Sequence, residues 1–188
     1  MKKDKEWSIL FGPMYTPKEM LELGVFEGKY INAIERIPSS WKKIPKVLGP
    51  DDELDPKINH YGVKSRQPLS VWKKNGWIKT DKLGWFEWYV HYTLGRRLGA
   101  EDLWQINRWR SFVARHQGQI DSDPKSKNKD HRLAQKQGLL QWGHNWKYSW
   151  SENLVQKNAA KMAKEFNVSL EEIKTSQEDY KINRIFNW

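Results

Sequence analysis

Six basic residues and two tryptophans carry the clearest recognition chemistry in this sequence. Arg96 and Arg97 are adjacent, Arg108 and Arg115 lie two helical turns apart, Arg132 and Lys136 lie one turn apart, and Trp104 and Trp146 accompany them. A guanidinium offers phosphate or carboxylate a planar fork of donors, and an indole stacks on an unpaired base whatever that base is. Together the set reads as a nucleic-acid-binding surface. Arg96, Arg97, Arg108, Arg115, Arg132 and Lys136 would contact phosphate, while Trp104, joined by Trp146, would stack on an unpaired base. Structural alternatives exist for the arginines. Arg96 and Arg97 follow a helix end, where they would satisfy its last carbonyls. Arg108 and Arg115 would form solvated salt links with Glu101 and Asp102.

Acid–base and metal chemistry are harder to find. The five histidines, His60, His91, His116, His131 and His144, show no zinc-binding spacing. Glu87 and His91, one turn apart, would form an acid–base couple or, more plainly, an exposed i, i+4 pair. Asp51, Asp52, Glu53 and Asp55 would hold a hard cation or line a solvated turn among prolines and glycines. No phosphate-binding glycine loop or nucleophile elbow occurs in the sequence. No catalytic residue, metal or cofactor is therefore assigned.

The chain has 188 residues, enough for one full core. The absence of Cys rules out disulfides, thiolate nucleophiles and Cys-ligated metal. No apolar stretch approaches the ~20 residues of a membrane span, so no membrane partner is expected. The charged start Met1-Lys2-Lys3-Asp4-Lys5-Glu6 is not followed by the apolar core of a secretory signal, and a cytoplasmic location follows. The formal charge is +10, and because residues 151–188 are balanced the whole excess lies in the first 150. Lysine dominates before residue 84 and arginine from Arg96 to Arg132. A basic globular protein without membrane features fits a nucleic-acid partner.

The elements that must position these side chains are mainly helical. Thr16-Pro17-Lys18-Glu19 is a capping box with Pro at the first helical position, and Gly24 ends that helix. A short helix over 29–36 would turn Ile31 and Ile34 inward, and another over 68–75 would present Leu69 and Trp72. The density of Pro and Gly between Pro38 and Gln67 predicts an irregular wrap. Trp85, Trp88, Tyr89 and Tyr92 share one face of a helix over 85–94, a spacing that suits core packing better than a base-stacking platform. A long helix over about 100–117 buries Leu103, Ile106, Trp109 and Val113, with Trp104, Arg108, Ser111 and Arg115 on a neighbouring stripe. The polar run 121–130 is the best candidate for disorder. A third helix follows over 131–142, with Arg132 and Lys136 on one side and Leu133, Leu139 and Leu140 inward. No sheet-like alternation occurs, so the expected class is mainly α: a compact helical domain over 1–150 and a helical hairpin over 151–188. Within that hairpin, residues 162–173 are similar to the turn of helix-turn-helix proteins. Glu171 and Glu172 at the start of the second helix argue for plain packing, because carboxylates there would face phosphate.

The blocks Thr16-Pro17-Lys18-Glu19-Met20-Leu21-Glu22-Leu23-Gly24-Val25-Phe26-Glu27-Gly28-Lys29-Tyr30, Gly84-Trp85-Phe86-Glu87-Trp88-Tyr89 with Gly95-Arg96-Arg97, Trp104-Gln105-Ile106-Asn107-Arg108-Trp109 and Gln137-Gly138-Leu139-Leu140-Gln141-Trp142 resemble a family of small uncharacterised proteins found mostly in tailed phages. The resemblance covers about residues 14–145. It implies a phage or phage-like origin and no catalytic residue. The expectation is therefore a small non-catalytic nucleic-acid-binding protein acting in the host cytoplasm. The alternatives are an enzyme acting on nucleotides or DNA bases, with Glu87 and His91 moving a proton, and an adaptor binding an acidic host or phage protein. An open basic stripe would mark a binder, and a closed pocket joining arginine to Glu87 or His91 would mark an enzyme.

Overall fold

The computed structural model describes residues 9–175. Its elements are α1 (Pro17–Leu23), α2 (Leu69–Lys74), α3 (Trp85–Thr93), α4 (Ala100–Asp121), α5 (Leu133–Gln141), α6 (Glu152–Glu165) and α7 (Leu170–Ile173), with short 3-10 turns between them. The one strand pairing among the described residues, β1 (Ile9–Leu10) with β2 (Lys174–Thr175), is antiparallel and two residues long. The protein is mainly α, as its periodicity predicts.

Local chemistry accounts for the starts. Thr16 Oγ1 accepts from the Glu19 N–H at 3.2 Å, and Glu19 Oε2 accepts from the Thr16 N–H at 2.8 Å, completing the capping box of α1. Ser151 caps α6 through the Leu154 N–H. The expected helix over 29–36 is instead a single 3-10 turn, Tyr30–Ala33, preceded by another at Phe26–Gly28, yet Ile31 and Ile34 are buried as their spacing requires. From Pro38 to Gln67 the chain is the irregular wrap its prolines demand.

Phe11 sits at the centre of the core. Its ring meets Trp88, Tyr89, Tyr92 and Trp109 edge-on at centroid distances of 5.0–5.4 Å, the favoured geometry for aromatic pairs. The buried polar tips are tethered: Trp88 Nε1 donates to Asp102 Oδ1 at 2.7 Å, Trp109 Nε1 to the Trp142 carbonyl at 3.0 Å, and Tyr89 Oη to the Tyr15 carbonyl at 2.8 Å. Leu103, Ile106 and Val113 are buried on α4 as the stripe predicts, whereas Leu133, expected inward, is half-buried.

The tail joins this core. Val155, Ala159, Met162 and Ile173 belong to the same buried cluster as Phe11. α6 crosses Gly12 so closely that a Cβ there would stand 2.1 Å from the Val155 carbonyl oxygen. A turn with Asn167 at φ 52 joins α6 to α7, giving the helical hairpin, and α7 is a single turn. Residues 176–188 of the expected extension lie outside the described residues. No helix among the described residues is long and apolar enough to cross a membrane.

The run 121–130 is ordered where disorder was expected. Pro124–Lys127 forms a 3-10 turn, and Asp123 accepts from the Lys125 N–H, His131 Nε2 and Arg132 Nε. These bonds, Arg132's first, hold the Asp123 carboxyl well below the usual carboxylate range. Beneath the turn the Lys136 ammonium donates to the Ser126 and Asn128 carbonyls at 3.0 and 2.7 Å.

Candidate functional site: an aromatic cavity with unneutralised arginine

Between α2, α4, α5 and the irregular wrap lies a cavity of about 820 Å³. One wall is built from indoles and a phenyl ring. Trp142 stacks on Trp85 at 4.7 Å and on Phe112 at 4.5 Å, and Trp72 leans on Trp142 at 6.2 Å. The lining also carries Phe26, stacked on Tyr30 at 5.0 Å and tilted on Phe86 at 4.7 Å. Gly84 sets Trp72 in place: at φ 82, a Cβ on it would lie 2.8 Å from two Trp72 ring carbons.

Four cations, Lys64, Arg66, Arg108 and Arg115, line the cavity, and no carboxylate does. Arg66 is already paired, its Nη2 lying 3.2 Å from Glu27 Oε2. Arg108 is different. It is 9% exposed, with its guanidinium carbon 4.7 Å from the Trp104 ring centroid, 5.2 Å from that of Trp72 and 5.6 Å from those of Trp77 and Trp142. Among the described residues only Nη1 has protein acceptors, the Trp77 carbonyl and Gln105 Oε1, both at 3.1 Å. No carboxylate among the described residues pairs with it, and burial pulls its pKa down to about 10. It stays charged at neutral pH. Arg115 is exposed on the same face of α4, and burial first, then the Arg115 charge, lowers the pKa of neighbouring His116. The indole N–H of Trp85, which also lines the cavity, is buried without an acceptor.

The remaining expected phosphate contacts are committed elsewhere. Arg96 forks onto Asp81 through both terminal nitrogens. Burial opposes the Arg96 charge, but the hydrogen bonds and charge of Asp81 outweigh it and raise its pKa. Arg97 donates to the Tyr92 carbonyl at 2.7 Å and lies over the Tyr92 ring, finishing α3 as a helix-end arginine does. Arg132 is tied to Asp123 and Gln135. Lys136, expected on the same exposed side as Arg132, is fully enclosed and cannot reach a phosphate. Trp146 is half-buried, with the Lys136 ammonium over its ring at 3.7 Å and Nε1 donating to Tyr61 Oη. Trp104 is half-buried, its ring covered by Arg108 and by Lys79 at 5.2 Å.

The expected salt links of Arg108 and Arg115 with Glu101 and Asp102 do not form. Glu101 accepts from Thr80, and Asp102 from the Trp88 indole and the Leu98 N–H. Glu87 and His91 do not pair as an isolated surface couple either. With Asp81 they make a group whose ligand atoms lie within 4.8 Å of one another. Each of the three is already engaged. Asp81 meets Arg96, Glu87 accepts from the Leu83 N–H at 2.8 Å, and His91 bridges Asp81 Oδ1 and the Glu35 carbonyl. This is a structural knot, and neither Glu87 nor His91 lines the cavity. In the run 51–55, Asp52 and Asp55 accept from backbone N–H groups of their own turns, at Gly49 and Lys57.

Two site residues on α4, Arg108 and Arg115, were legible as a stripe. The aromatic walls were not, because Trp72 on α2, Phe112 on α4 and Trp142 just past α5 are far apart in sequence and meet only through the fold. Family models, curated proteins and solved structures give no match to this chain.

Proposed function

We propose that this is a non-catalytic nucleic-acid-binding protein, of phage or phage-like origin and acting in the host cytoplasm. It receives an unpaired base in the aromatic cavity and phosphate on Arg108 and Arg115. The observation that carries the reading is the lining itself, flat π-surfaces beside Arg108, Arg115 and Lys64, none of which has a carboxylate partner among the described residues. Base stacking on aromatic rings is worth about 1–3 kcal/mol per base and tolerates any sequence. A duplex offers no free base face, so single strands are the substrate class. Arg96, Arg97, Arg132 and Lys136 already have acceptors within the chain, so the phosphate contacts proposed are Arg108 and Arg115, with Lys64 beside them.

The test is binding of single- and double-stranded oligonucleotides across a salt series. Affinity for single strands should fall on a log–log plot with a slope of about 0.7 per phosphate contacted. Arg115→Ala should flatten that slope by about one contact while sparing stability, since the side chain is exposed. Trp72→Leu should weaken single strands and leave the residual duplex binding alone. A folded protein that binds no oligonucleotide at low salt would overturn the proposal and leave an acidic protein partner as the explanation of the charge.

A further inference from the structure

Arg108 poses a sharper question than the cavity as a whole. A guanidinium that is nine-tenths buried among indoles, with two of its three nitrogens lacking an acceptor among the described residues, is prepared for an anion that comes to it. Exposed cations serve an anion that stays in water, and Arg115 and Lys64 are of that kind. The ligand's negative group therefore has to enter the cavity, not merely pass its mouth.

An internal phosphodiester is poorly suited to that. It carries one charge, and the strand leaves it in two directions, so burying it drags two lengths of backbone inside. A terminal phosphate monoester carries about −1.5 to −2 charges at neutral pH and three acceptor oxygens, and the chain leaves it in one direction only. Charge complementarity points the same way. Of the four lining cations, Glu27 neutralises one, which leaves three. A terminal monoester and the next phosphodiester together supply about three negative charges.

Resting on the nucleic-acid reading above, we propose that the cavity takes a nucleotide bearing a terminal phosphate, with the monoester on Arg108 and the base against the aromatic rings of the lining. The adjoining phosphate lies outward on Arg115 and Lys64. Two sources share this chemistry, a free nucleoside monophosphate and the phosphorylated end of a strand.

Tryptophan fluorescence titrations of the full chain separate the cases. The ligands are a nucleoside, its 5′- and 3′-monophosphates, one single-stranded oligonucleotide with 5′-phosphate, 3′-phosphate or hydroxyl ends, and a covalently closed single-stranded circle. A phosphorylated end should bind about tenfold or more tighter than hydroxyl ends, the scale of a charge-assisted hydrogen-bonded contact. Arg108→Met should erase that difference, and Arg132→Gln, outside the cavity, should preserve it. Should Arg108→Met misfold, inorganic phosphate should narrow the same difference in the unaltered protein, and chloride at equal ionic strength should not. A monophosphate that binds when no oligonucleotide does would uphold the phosphate pocket and sink strand binding. A circle that binds as tightly as the phosphorylated linear strand would overturn this inference and leave single-strand binding standing. If nothing binds, both fall.

Discussion

Replacing Arg108 by Met should leave the fold about as stable as before, whereas replacing Arg96 by Met should damage it. Arg108 is buried without a counter-charge, and the depression of its pKa to about 10 corresponds to roughly 3 kcal/mol of burial cost. Met recovers that cost. It forfeits two hydrogen bonds worth about 1 kcal/mol each, together with cation–π attraction of about 1 kcal/mol or more. The opposing contributions nearly cancel, so the net change should be within about 1 kcal/mol, under about 4 °C in Tm for a chain of this size. Arg96 forks onto Asp81, which is 3% exposed. Its loss leaves a buried carboxylate with His91 as its remaining partner and should cost about 3 kcal/mol, or about 6–12 °C. Thermal and urea unfolding of both variants, followed by single-strand binding, give the comparison. Arg108→Met should keep its fold and lose binding, while the folded fraction of Arg96→Met should bind normally. If Arg108→Met is as destabilising as Arg96→Met, the guanidinium is structural and the case for a waiting anion site fails.

The other predictions use different parts of the molecule. Gly84→Ala should lose about 1–3 kcal/mol and alter the near-UV circular dichroism, because the new Cβ meets the Trp72 ring at a positive φ; an unchanged Tm would mean that Trp72 is not fixed by that contact. Lys136→Met should raise hydrogen exchange across 124–130 selectively, since it removes the donor beneath the turn; uniform exchange across the chain would contradict this anchoring role. His60, His116 and His144 all have pKa values lowered, chiefly by burial. Below about pH 6.5 the unfolded chain then binds more protons than the native one, so urea stability should fall as pH drops from about 7 to 5.5. His144→Gln should flatten that fall, and a steeper profile would refute the sign.

Helices were legible because their determinants are local. The Thr16 capping box, the 85–92 aromatic face and the Leu103–Val113 stripe each need only a few neighbouring residues, and all three form. The 29–36 segment kept its inward isoleucines but not its helix, since Gly28 and a chain of turns intervene. Lys136 was misread for a reason of the same kind. Helical periodicity placed it beside Arg132, but the 124–127 turn folds back over that side and supplies carbonyls to its ammonium. The order of that turn was hidden too, because its composition is polar throughout and its stability comes from His131, Arg132 and Lys136, which lie beyond it.

What separates the six basic residues is where each finds its acceptor. Arg96, Arg97, Arg132 and Lys136 find oxygens within the chain, on Asp81, Tyr92, Asp123 and the carbonyls of Ser126 and Asn128. Arg115 finds water. Arg108 has two neutral acceptors on one nitrogen and aromatic faces around the rest. Net charge counts all six alike, so it cannot tell which cation is left to meet a partner. A buried charge left unpaired carries a stability cost that a methionine would avoid. On the proposed reading the guanidinium stands there for an anion that enters the cavity, and the stability comparison of Arg108→Met with Arg96→Met is therefore also a test of that proposal.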